Sequence, residues 1–541
     1  MHSREALALG RDAAVLPWLR APWLLAALVA LCLPYLLVTV PPLIDLPGHL
    51  GAAAIEAAAP GSALHRYWHW EWAYSLNMGG EVLMKLLADS LGLVAAGWWS
   101  AVIATVLFAA GCFAAIRAVN PRGGFALGWA LVFVFSYPLL MGFINYVLAT
   151  GLALLVFARW VTWRDKPLHR VALLLIAQPI LLTCHAVGGA LLPLLVAAYS
   201  LGSAFDAKDE WLPDWRMGAR NIARECWPLL ATVATMALWK LAAPAGKGGL
   251  KWYVEQKLLA FPFALRDQSQ ALDVATLVAC GLLLVAGAAI GARWSWKQGL
   301  PALALAVLFA VAPGSIDGSA LIDVRLLPIA IMLGLGFQDW SRVSLPLARA
   351  VALAGIGLLV LRLGTTAYGF AAYDADYRGK LAALNRVEPG AKVLALVEHT
   401  CLRESWRTPR TDHLPSLASV YRGAWTNDNW AVPGLHMLTP KFRPGKNYTA
   451  DPSTFVWSKG CSGGTKLRGI DQAMRQAPLD KVDYVWLIDT GKPRHQDPRL
   501  APVWRSGRST LYAVKARTNV LGGAAMAKST VKVRVRVRNK G

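Results

Sequence analysis

Three ionisable residues with helical spacing follow the first long apolar segment of the chain: Asp45, His49 and Glu56. Pro47 suits the first turn of a helix, so we predict a short interfacial helix over residues 48–59. Residues four and eleven positions apart lie on one side of a helix, so the three side chains could face one cleft. The positive end of a helix favours a carboxylate, so we expect Asp45 to stay ionised. The alternative is that Asp45 only caps this helix and that His49 is solvated.

Further polar residues fall near the same ends of the apolar segments. Ionisable groups at membrane depth are costly and usually functional. Lysines can neutralise a phosphate as point charges, and an arginine can bind it bidentately. We therefore predict a substrate site, with a lipid phosphate bound at the loop 244–273, from Asn145, His185, Lys247, Lys251, Arg266 and Arg325. Alternatively, these lysines anchor the loop at the headgroups and His185 is a hydrogen-bonded residue of the bundle.

The composition indicates a membrane protein with a separate polar part. The chain has 541 residues, of which 56% are hydrophobic and 16% charged, with a net charge of +23. Soluble domains carry about 25% charged residues, so an ordinary soluble enzyme and a disordered chain are both excluded. Residues 370–541 hold 29 Lys and Arg against 13 Asp and Glu, which is most of the excess charge.

The apolar runs predict a polytopic helical bundle of about eleven spans in a mainly α fold. The predicted spans are 22–41, 92–116, 124–139, 143–158, 171–184, 187–204, 227–243, 274–292, 299–312, 326–338 and 346–366. An N-terminus in the cytoplasm places most Lys and Arg of the connecting segments inside, as the positive-inside rule requires. This topology predicts a multi-pass protein of a bacterial inner membrane whose C-terminal domain is periplasmic.

The polar part reads as an extracytoplasmic α/β domain. We predict a membrane domain over 1–369, an α/β domain over 370–520 and a basic flexible tail over 521–541. Strands are predicted at 392–397, 484–488 and 509–514, of which the first two resemble buried parallel strands, and helical or turn-rich segments at 414–424 and 467–476. The available Glu398, His399 and His413 have no spacing that makes them a site, so we expect them to be structural or solvated. The tail alternates valine with cations and could bind anionic lipid or acidic polysaccharide.

Seven cysteines are present, and five of them fall in or beside predicted spans as small apolar residues. Cys401 and Cys461 lie in the C-terminal domain, where oxidation is allowed outside the cytoplasm. A Cys401–Cys461 disulfide is therefore a hypothesis, with two free thiols as the alternative. No spacing typical of a zinc site occurs in the sequence.

The layout resembles the GT-C superfamily of membrane glycosyltransferases, which includes protein O-mannosyltransferases and aminoarabinose transferases. The segment that carries the resemblance is Ile44-Asp45-Leu46-Pro47-Gly48-His49, just after the first predicted helix. In that family a catalytic acidic residue occupies this loop, followed by many spans and often a C-terminal outer domain. The resemblance implies that Asp45 is catalytic. Many members have paired acidic residues there, whereas this chain has Asp45 alone, which leaves the use of a divalent metal open.

The residues and the resemblance together predict a membrane glycosyltransferase. It would transfer a sugar from a polyprenyl-phosphate donor to a glycan, lipid or protein acceptor, with Asp45 as general base and His49 beside it. Two other classes remain open: a transporter or flippase of lipid-linked sugars, and a non-catalytic assembly protein for envelope polysaccharide. Transporters place their binding residues near the bilayer midplane, whereas the polar residues here collect at one face. Nucleic acid is not an expected partner.

Overall fold

A computed structural model describes residues 21–120, 123–207, 215–242, 249–316, 319–402, 404–445, 447–451, 455–461, 468–494 and 497–515. The fold class is confirmed: an apolar helical domain precedes a C-terminal α/β domain. Lys247 and the tail 521–541 lie outside the described residues. The helices of the apolar domain are α1 (Ala21–Cys32), α2 (Leu46–Glu56), α3 (Ala63–Tyr67), α4 (Gly79–Leu91), α5 (Leu93–Val119), α6 (Leu127–Leu131), α7 (Tyr137–Leu140), α8 (Ile144–Thr162), α9 (Pro167–Cys184), α10 (Ala186–Asp206), α11 (Trp215–Cys226), α12 (Leu230–Ala242), α13 (Val254–Phe263), α14 (Gln270–Ala289), α15 (Trp296–Val311), α16 (Leu326–Phe337) and α17 (Leu345–Leu381).

Within the described ranges, six helices are long and apolar enough to cross a membrane: α5, α8, α9, α10, α14 and α17. The chain is therefore a multi-pass membrane protein, while the total of about eleven spans stays a prediction. One predicted span is wrong as a continuous helix. Residues 124–139 form a 3₁₀ turn, the short helix α6, further turns and the start of α7. Pro138 suits a first helical turn, so the helix restarts there.

The C-terminal domain is built on a mixed sheet. Its strands are β5 (Lys392–His399), β6 (Trp425–Thr426), β8 (Phe455–Trp457), β9 (Tyr484–Ile488), β10 (Leu500–Ser506) and β11 (Ser509–Val514), and its helices are α18 (Leu417–Arg422) and α19 (Ile470–Arg475). Strand β5 is parallel to β6, β8 and β9. Strand β11 lies between β9 and β10 and is antiparallel to both. The predicted buried parallel strands are confirmed, because β5 and β9 are adjacent and are mostly buried.

Two smaller sheets occur among the described residues: one lies in the apolar domain, and the other links the two domains. A three-stranded sheet joins β2 (Leu250–Lys251), β3 (Ser315–Ile316) and β4 (Ser319–Ala320). Strand β1 (Trp68–Trp70) of the apolar domain pairs antiparallel with β7 (Leu438–Pro440) of the C-terminal domain. The C-terminal domain is thus hydrogen-bonded to the segment between α2 and α4.

Helix α17 passes from one domain into the other. It has 37 residues and ends at Leu381, so the predicted boundary at residue 369 falls inside a continuous helix. A buried polar network fastens the domains beside it. Arg410 donates to Asp267 Oδ1 at 2.5 Å and to the carbonyl of Pro42 at 3.0 Å, and Thr366 on α17 donates to Asp267 Oδ2 at 2.8 Å.

Helix α2 confirms the predicted short helix, but it is not an interfacial helix in contact with solvent. The 3₁₀ turn Leu414–Ser416 and α18 of the C-terminal domain pack on it. Gly48 and Gly51 lie on the covered face. A Cβ at Gly48 would lie 2.5 Å from the Trp430 ring, and a Cβ at Gly51 would lie 2.7 Å from Asn429 Oδ1. Two glycines three residues apart therefore let the C-terminal domain approach α2 closely.

Candidate active site

Asp45 lies at the junction of α2 with the chain that precedes α8. Its backbone N–H donates to the carbonyl of Met141 at 2.9 Å, and Gly142 packs directly against it. Asp45 occupies the N-cap position of α2, but its side chain makes no capping hydrogen bond. Burial raises the pKa of Asp45, which the positive charges of His413, His49 and Arg325 only partly offset. That Asp45 stays ionised remains a prediction.

His413 of the C-terminal domain stands opposite Asp45, and three carboxylates surround it. Its Nε2 lies 3.8 Å from Asp45 Oδ1, and its Nδ1 lies 3.2 Å from Asp428 Oδ1 and 4.0 Å from Asp451 Oδ1. Burial alone would lower the pKa of His413, but the carboxylates raise it to about 10. We call Asp45, His413, Asp428 and Asp451 the acid–histidine cluster. At neutral pH its histidine is a cation beside Asp45.

Asp428 fixes the orientation of that histidine. It is fully buried, and its Oδ2 accepts hydrogen bonds from the backbone N–H and the hydroxyl of Ser416 at 2.9 and 2.7 Å. Its other oxygen accepts from His413 Nδ1. A carboxylate that is itself held by two donors locks the ring that it contacts. His413 Nε2 is therefore kept facing Asp45.

His49 belongs to a neighbouring network. Its Nδ1 donates to Glu81 Oε1 at 3.0 Å, and Asn145 Nδ2 donates to Glu81 Oε2 at 2.9 Å. The Trp430 ring separates His49 from His413, with ring centroids 5.2 and 4.6 Å away in edge-on contacts. His49 thus lies behind Trp430, paired with a carboxylate, and Asn145 supports that pair.

Arg325 and His185 meet beside Asp45. Arg325 Nη1 donates to His185 Nε2 at 2.8 Å, while the backbone N–H groups of Val187 and Gly188 donate to His185 Nδ1. Donors therefore face both ring nitrogens, although a neutral imidazole must carry a proton on one of them. One of these contacts is unsatisfied, so His185 is a poor partner for a guanidinium.

Arg325 is a buried cation without an ion pair among the described residues. It is 6% exposed, its Nε has no hydrogen-bond partner, and its guanidinium lies 4.1 Å above the Phe143 ring. Burial lowers the pKa of Arg325 to about 10, so it stays charged at neutral pH. Phe143 follows Gly142, which contacts the backbone of Asp45, so the unpaired cation and the carboxylate share one wall.

An apolar cleft lies along α15 and α16, the helix that Arg325 precedes. It is open, has a volume of about 770 Å³, and almost all of its surface is carbon. Its lining includes Phe261, Trp294, Leu303, Phe309, Leu327 and Gly334. The cleft begins at Leu327, two residues along the chain from Arg325, although Arg325 itself does not line it. The cleft has room for a hydrocarbon chain.

The remaining predicted site residues lie elsewhere. Glu56, at the other end of α2, forms an ion pair with Lys85 and accepts from Trp72 Nε1 at 3.2 Å. Lys251 is exposed on β2. Arg266 donates to the carbonyls of residues 405–407 and thereby holds the C-terminal domain. A role in substrate binding stays a prediction for all three.

Two groups of side chains have the composition of a metal site. His413, Asp428 and Asp451 could together hold a divalent cation, and so could Cys401, Glu404 and Cys461. The second group does not provide thiolate ligands, because Cys401 and Cys461 form a disulfide with their Cα atoms 5.5 Å apart. A cation in the first group would take the place of the proton that His413 Nδ1 donates to Asp428.

Sequence reasoning missed His413, Asp428 and Asp451. They are more than 360 residues from Asp45 and reach it only because the C-terminal domain covers α2. Two signals were available. Gly48 and Gly51 share one helix face, and Thr426-Asn427-Asp428-Asn429 is a run of polar residues that is fully buried. Buried polar groups need partners, so such a run indicates a site or a hydrogen-bond network.

The fold and the site together define a multi-pass membrane protein in which a partly buried carboxylate faces a histidine of the C-terminal domain, near a buried arginine without an ion pair among the described residues. No family model and no curated protein matches the chain. Among solved structures it is similar to the crystal structure of ArnT from Cupriavidus metallidurans bound to undecaprenyl phosphate. That similarity covers 91% of this chain and 98% of that one, with 13% identity and a TM-score of 0.45.

Proposed function

We propose that the protein is a membrane glycosyltransferase that takes a sugar from a polyprenyl-phosphate donor and passes it to a hydroxyl of an acceptor. The observation that carries this proposal is that Asp45 and Arg325, which form no ion pair, lie near enough for each to feel the charge of the other. Asp45 is a largely buried carboxylate that accepts no hydrogen bond from any described side chain, and Arg325 is a buried cation without a carboxylate partner. A base and an anion site stand side by side.

Arg325 and the apolar cleft suit the two parts of such a donor. A buried guanidinium without a counter-charge is costly, and a phosphate that reaches it would supply the missing anion. Arg325 has a free Nε–H, and on the same edge of the guanidinium its Nη2 donates to the carbonyl of Ala320 at 3.2 Å. A phosphate would bind this edge with one oxygen on Nε–H and a second oxygen in place of that carbonyl. The polyprenyl chain would lie in the apolar cleft.

Asp45 would act as general base. The acceptor oxygen gives its proton to an Asp45 oxygen and forms a bond to the anomeric carbon, while the bond from that carbon to the phosphate oxygen breaks. The phosphate leaves with the bonding electrons and is stabilised by Arg325, so no acid is needed there. The His413 cation keeps Asp45 ionised before the reaction, and Asp428 holds His413 in place.

The divalent metal that the sequence left open has a place in this proposal. His413, Asp428 and Asp451 would hold it, and such an ion would add positive charge next to Asp45. The acceptor class (glycan, lipid or protein) and the bacterial inner membrane, with the C-terminal domain in the periplasm, are parts of the same proposal.

The test compares three variants of the full chain in lipid nanodiscs. Asp45→Asn removes the base, Arg325→Gln removes the anion site, and Asp89→Asn changes an exposed carboxylate of α4 as the matched control. The assay measures release of undecaprenyl phosphate from a panel of undecaprenyl-phosphate sugars. Loss of a general base lowers the rate by about 10²–10⁴-fold. We expect such a loss for Asp45→Asn, weaker donor binding for Arg325→Gln, and no change for Asp89→Asn.

If Asp45→Asn releases undecaprenyl phosphate at a rate within threefold of the unsubstituted protein, Asp45 is not the general base. If no donor reacts but the protein moves a lipid-linked sugar across the bilayer, the transporter is the better assignment. If neither process occurs while surface glycan depends on the protein, the assembly protein is favoured.

A further inference from the structure

A second cavity lies in the C-terminal domain and differs in character from the apolar cleft. It has a volume of about 430 Å³, and somewhat more than half of its lining is polar. The polar side chains that line it belong to Thr439, Arg443, Asn447, Thr449, Asp451 and Arg468. A cavity of this size fits a small ligand, and its lining suits a polar one. The proposed mechanism leaves this cavity unused.

Two arginines give the cavity a positive wall. Neither Arg443 nor Arg468 forms an ion pair within the described part of the chain. The Arg468 guanidinium lies 5.1 Å from the Tyr448 ring, and its Nη1 is buried without a hydrogen-bond partner. Arg443 is exposed and donates from Nε to the carbonyl of Pro440 at 3.2 Å, which leaves both terminal nitrogens available.

Asp451 joins this cavity to the acid–histidine cluster. It lines the cavity, and its Oδ1 lies 4.0 Å from His413 Nδ1. That oxygen is buried and has no hydrogen-bond partner in the described structure. His413 in turn faces Asp45. A ligand in the cavity therefore has an open acceptor atom at the end nearest the proposed base.

We propose that this cavity is the acceptor site, and that the acceptor is a saccharide that carries a phosphate or a carboxylate. This inference rests on the proposed function. The anionic group binds Arg443 and Arg468, and a hydroxyl donates to Asp451 at the inner end. The two ends of the cavity thus orient the sugar with a hydroxyl at the acid–histidine cluster, where His413 lies between Asp451 and Asp45.

The test measures binding to the purified full chain by isothermal titration calorimetry, without any transfer reaction. The probes are glucose 6-phosphate, glucuronic acid, glucose and inorganic phosphate. Variants are Arg443→Gln and Arg468→Gln, with Arg505→Gln on the exposed face of β10 as the matched control. We expect both anionic sugars to bind at millimolar concentration, and each cavity variant to weaken them by about tenfold. Glucose and inorganic phosphate should bind more weakly, and Arg505→Gln should change nothing.

Several results would overturn the inference. They are glucose binding as tightly as glucose 6-phosphate, inorganic phosphate binding as tightly as either anionic sugar, no binding of either anionic sugar at millimolar concentration, or unchanged binding in Arg443→Gln. Arg443 is exposed, so this last variant does not depend on folding. Asp45→Asn should bind the anionic sugars normally. If the anionic sugars bind normally and Asp45→Asn is fully active, Asp45 is not the base, but the cavity remains the acceptor site. If Asp45→Asn loses transfer and the anionic sugars do not bind, Asp45 remains the base, and the cavity is not the acceptor site.

Discussion

Removing the Glu81–His49 ion pair should lower the free energy of unfolding by an amount that depends on pH. Glu81 accepts from His49 Nδ1 and from Asn145 Nδ2, and all three residues are largely buried. Glu81→Ala leaves His49 without its acceptor, while Asn145 keeps its hydrogen bonds to Asn77. Breaking one side of a buried ion pair costs about 3–5 kcal/mol. Glu81→Gln keeps the shape, but its amide N–H₂ meets the N–H₂ of Asn145, whose Oδ1 is already bound to the Gly80 N–H. We expect about 1–3 kcal/mol for that change.

The cost depends on pH with a definite sign. Burial would lower the pKa of His49, but Glu81 raises it above the ordinary 6.5, so this stabilisation is complete below pH 6.5 and is lost as the pH rises through the raised value. Burial would raise the pKa of Glu81, but His49 and Asn145 lower it below 4.5, so this stabilisation is present above pH 4.5 and is lost in stronger acid. The pair therefore stabilises the fold most between pH 4.5 and 6.5.

The contribution of the pair to stability is measured by thermal unfolding of the full chain in detergent at pH 6 and pH 9, monitored by circular dichroism. Tm should fall in the order unsubstituted, Glu81→Gln, Glu81→Ala, and the differences should be larger at pH 6. The matched control is Glu71→Gln, because Glu71 forms an exposed pair with His69 at 3.6 Å. Exposed pairs contribute about 0–1 kcal/mol, so its Tm should barely change. Equal losses for Glu81→Ala at both pH values would refute the ionic account.

Two further variants test the surroundings of the site. Gly142 has φ +84°, and a Cβ there would lie 2.6 Å from the Asp45 nitrogen, so Gly142→Ala should cost about 1–3 kcal/mol of stability and lower transferase activity by displacing Asp45. An unchanged Tm would contradict this. Arg410→Met should leave Asp267 buried without its cation, expose the domain junction to protease and cost about 3–5 kcal/mol. Adding Asp267→Asn should restore part of that loss; no recovery in the double variant would show that the charge is not the cause.

Periodicity and composition were sufficient for the architecture, because apolar length and strand patterning are local properties. The parallel strands at β5 and β9 and the helix beginning near Pro47 follow from their own residues. The predicted span at 124–139 failed for a related reason. Its residues are uniformly apolar, and such a run cannot reveal that turns divide it inside the protein.

The site depended on contacts that no local pattern contains. Asp45 was found by its position after the first apolar segment, whereas His413 reaches it across the domain junction. Arg266, whose role in substrate binding stays a prediction, shows what a local pattern leaves out. Its charge and its place in an aromatic loop fit a phosphate site, but the carbonyls of residues 405–407 occupy its guanidinium, and only the tertiary fold brings them there.

The number of residues in helix α17 sets how the C-terminal domain is rotated relative to the apolar domain, because the helix is continuous between them. A helix turns about 100° and rises about 1.5 Å with each residue, so a single insertion near its middle would swing everything beyond it by more than a quarter of a circle. His413 would then leave Asp45, and strand β7 would leave β1. Inserting a whole turn would restore the angle but move the domain about 5.4 Å along the helix axis, so the contacts across the junction fix both the rotation and the length of α17.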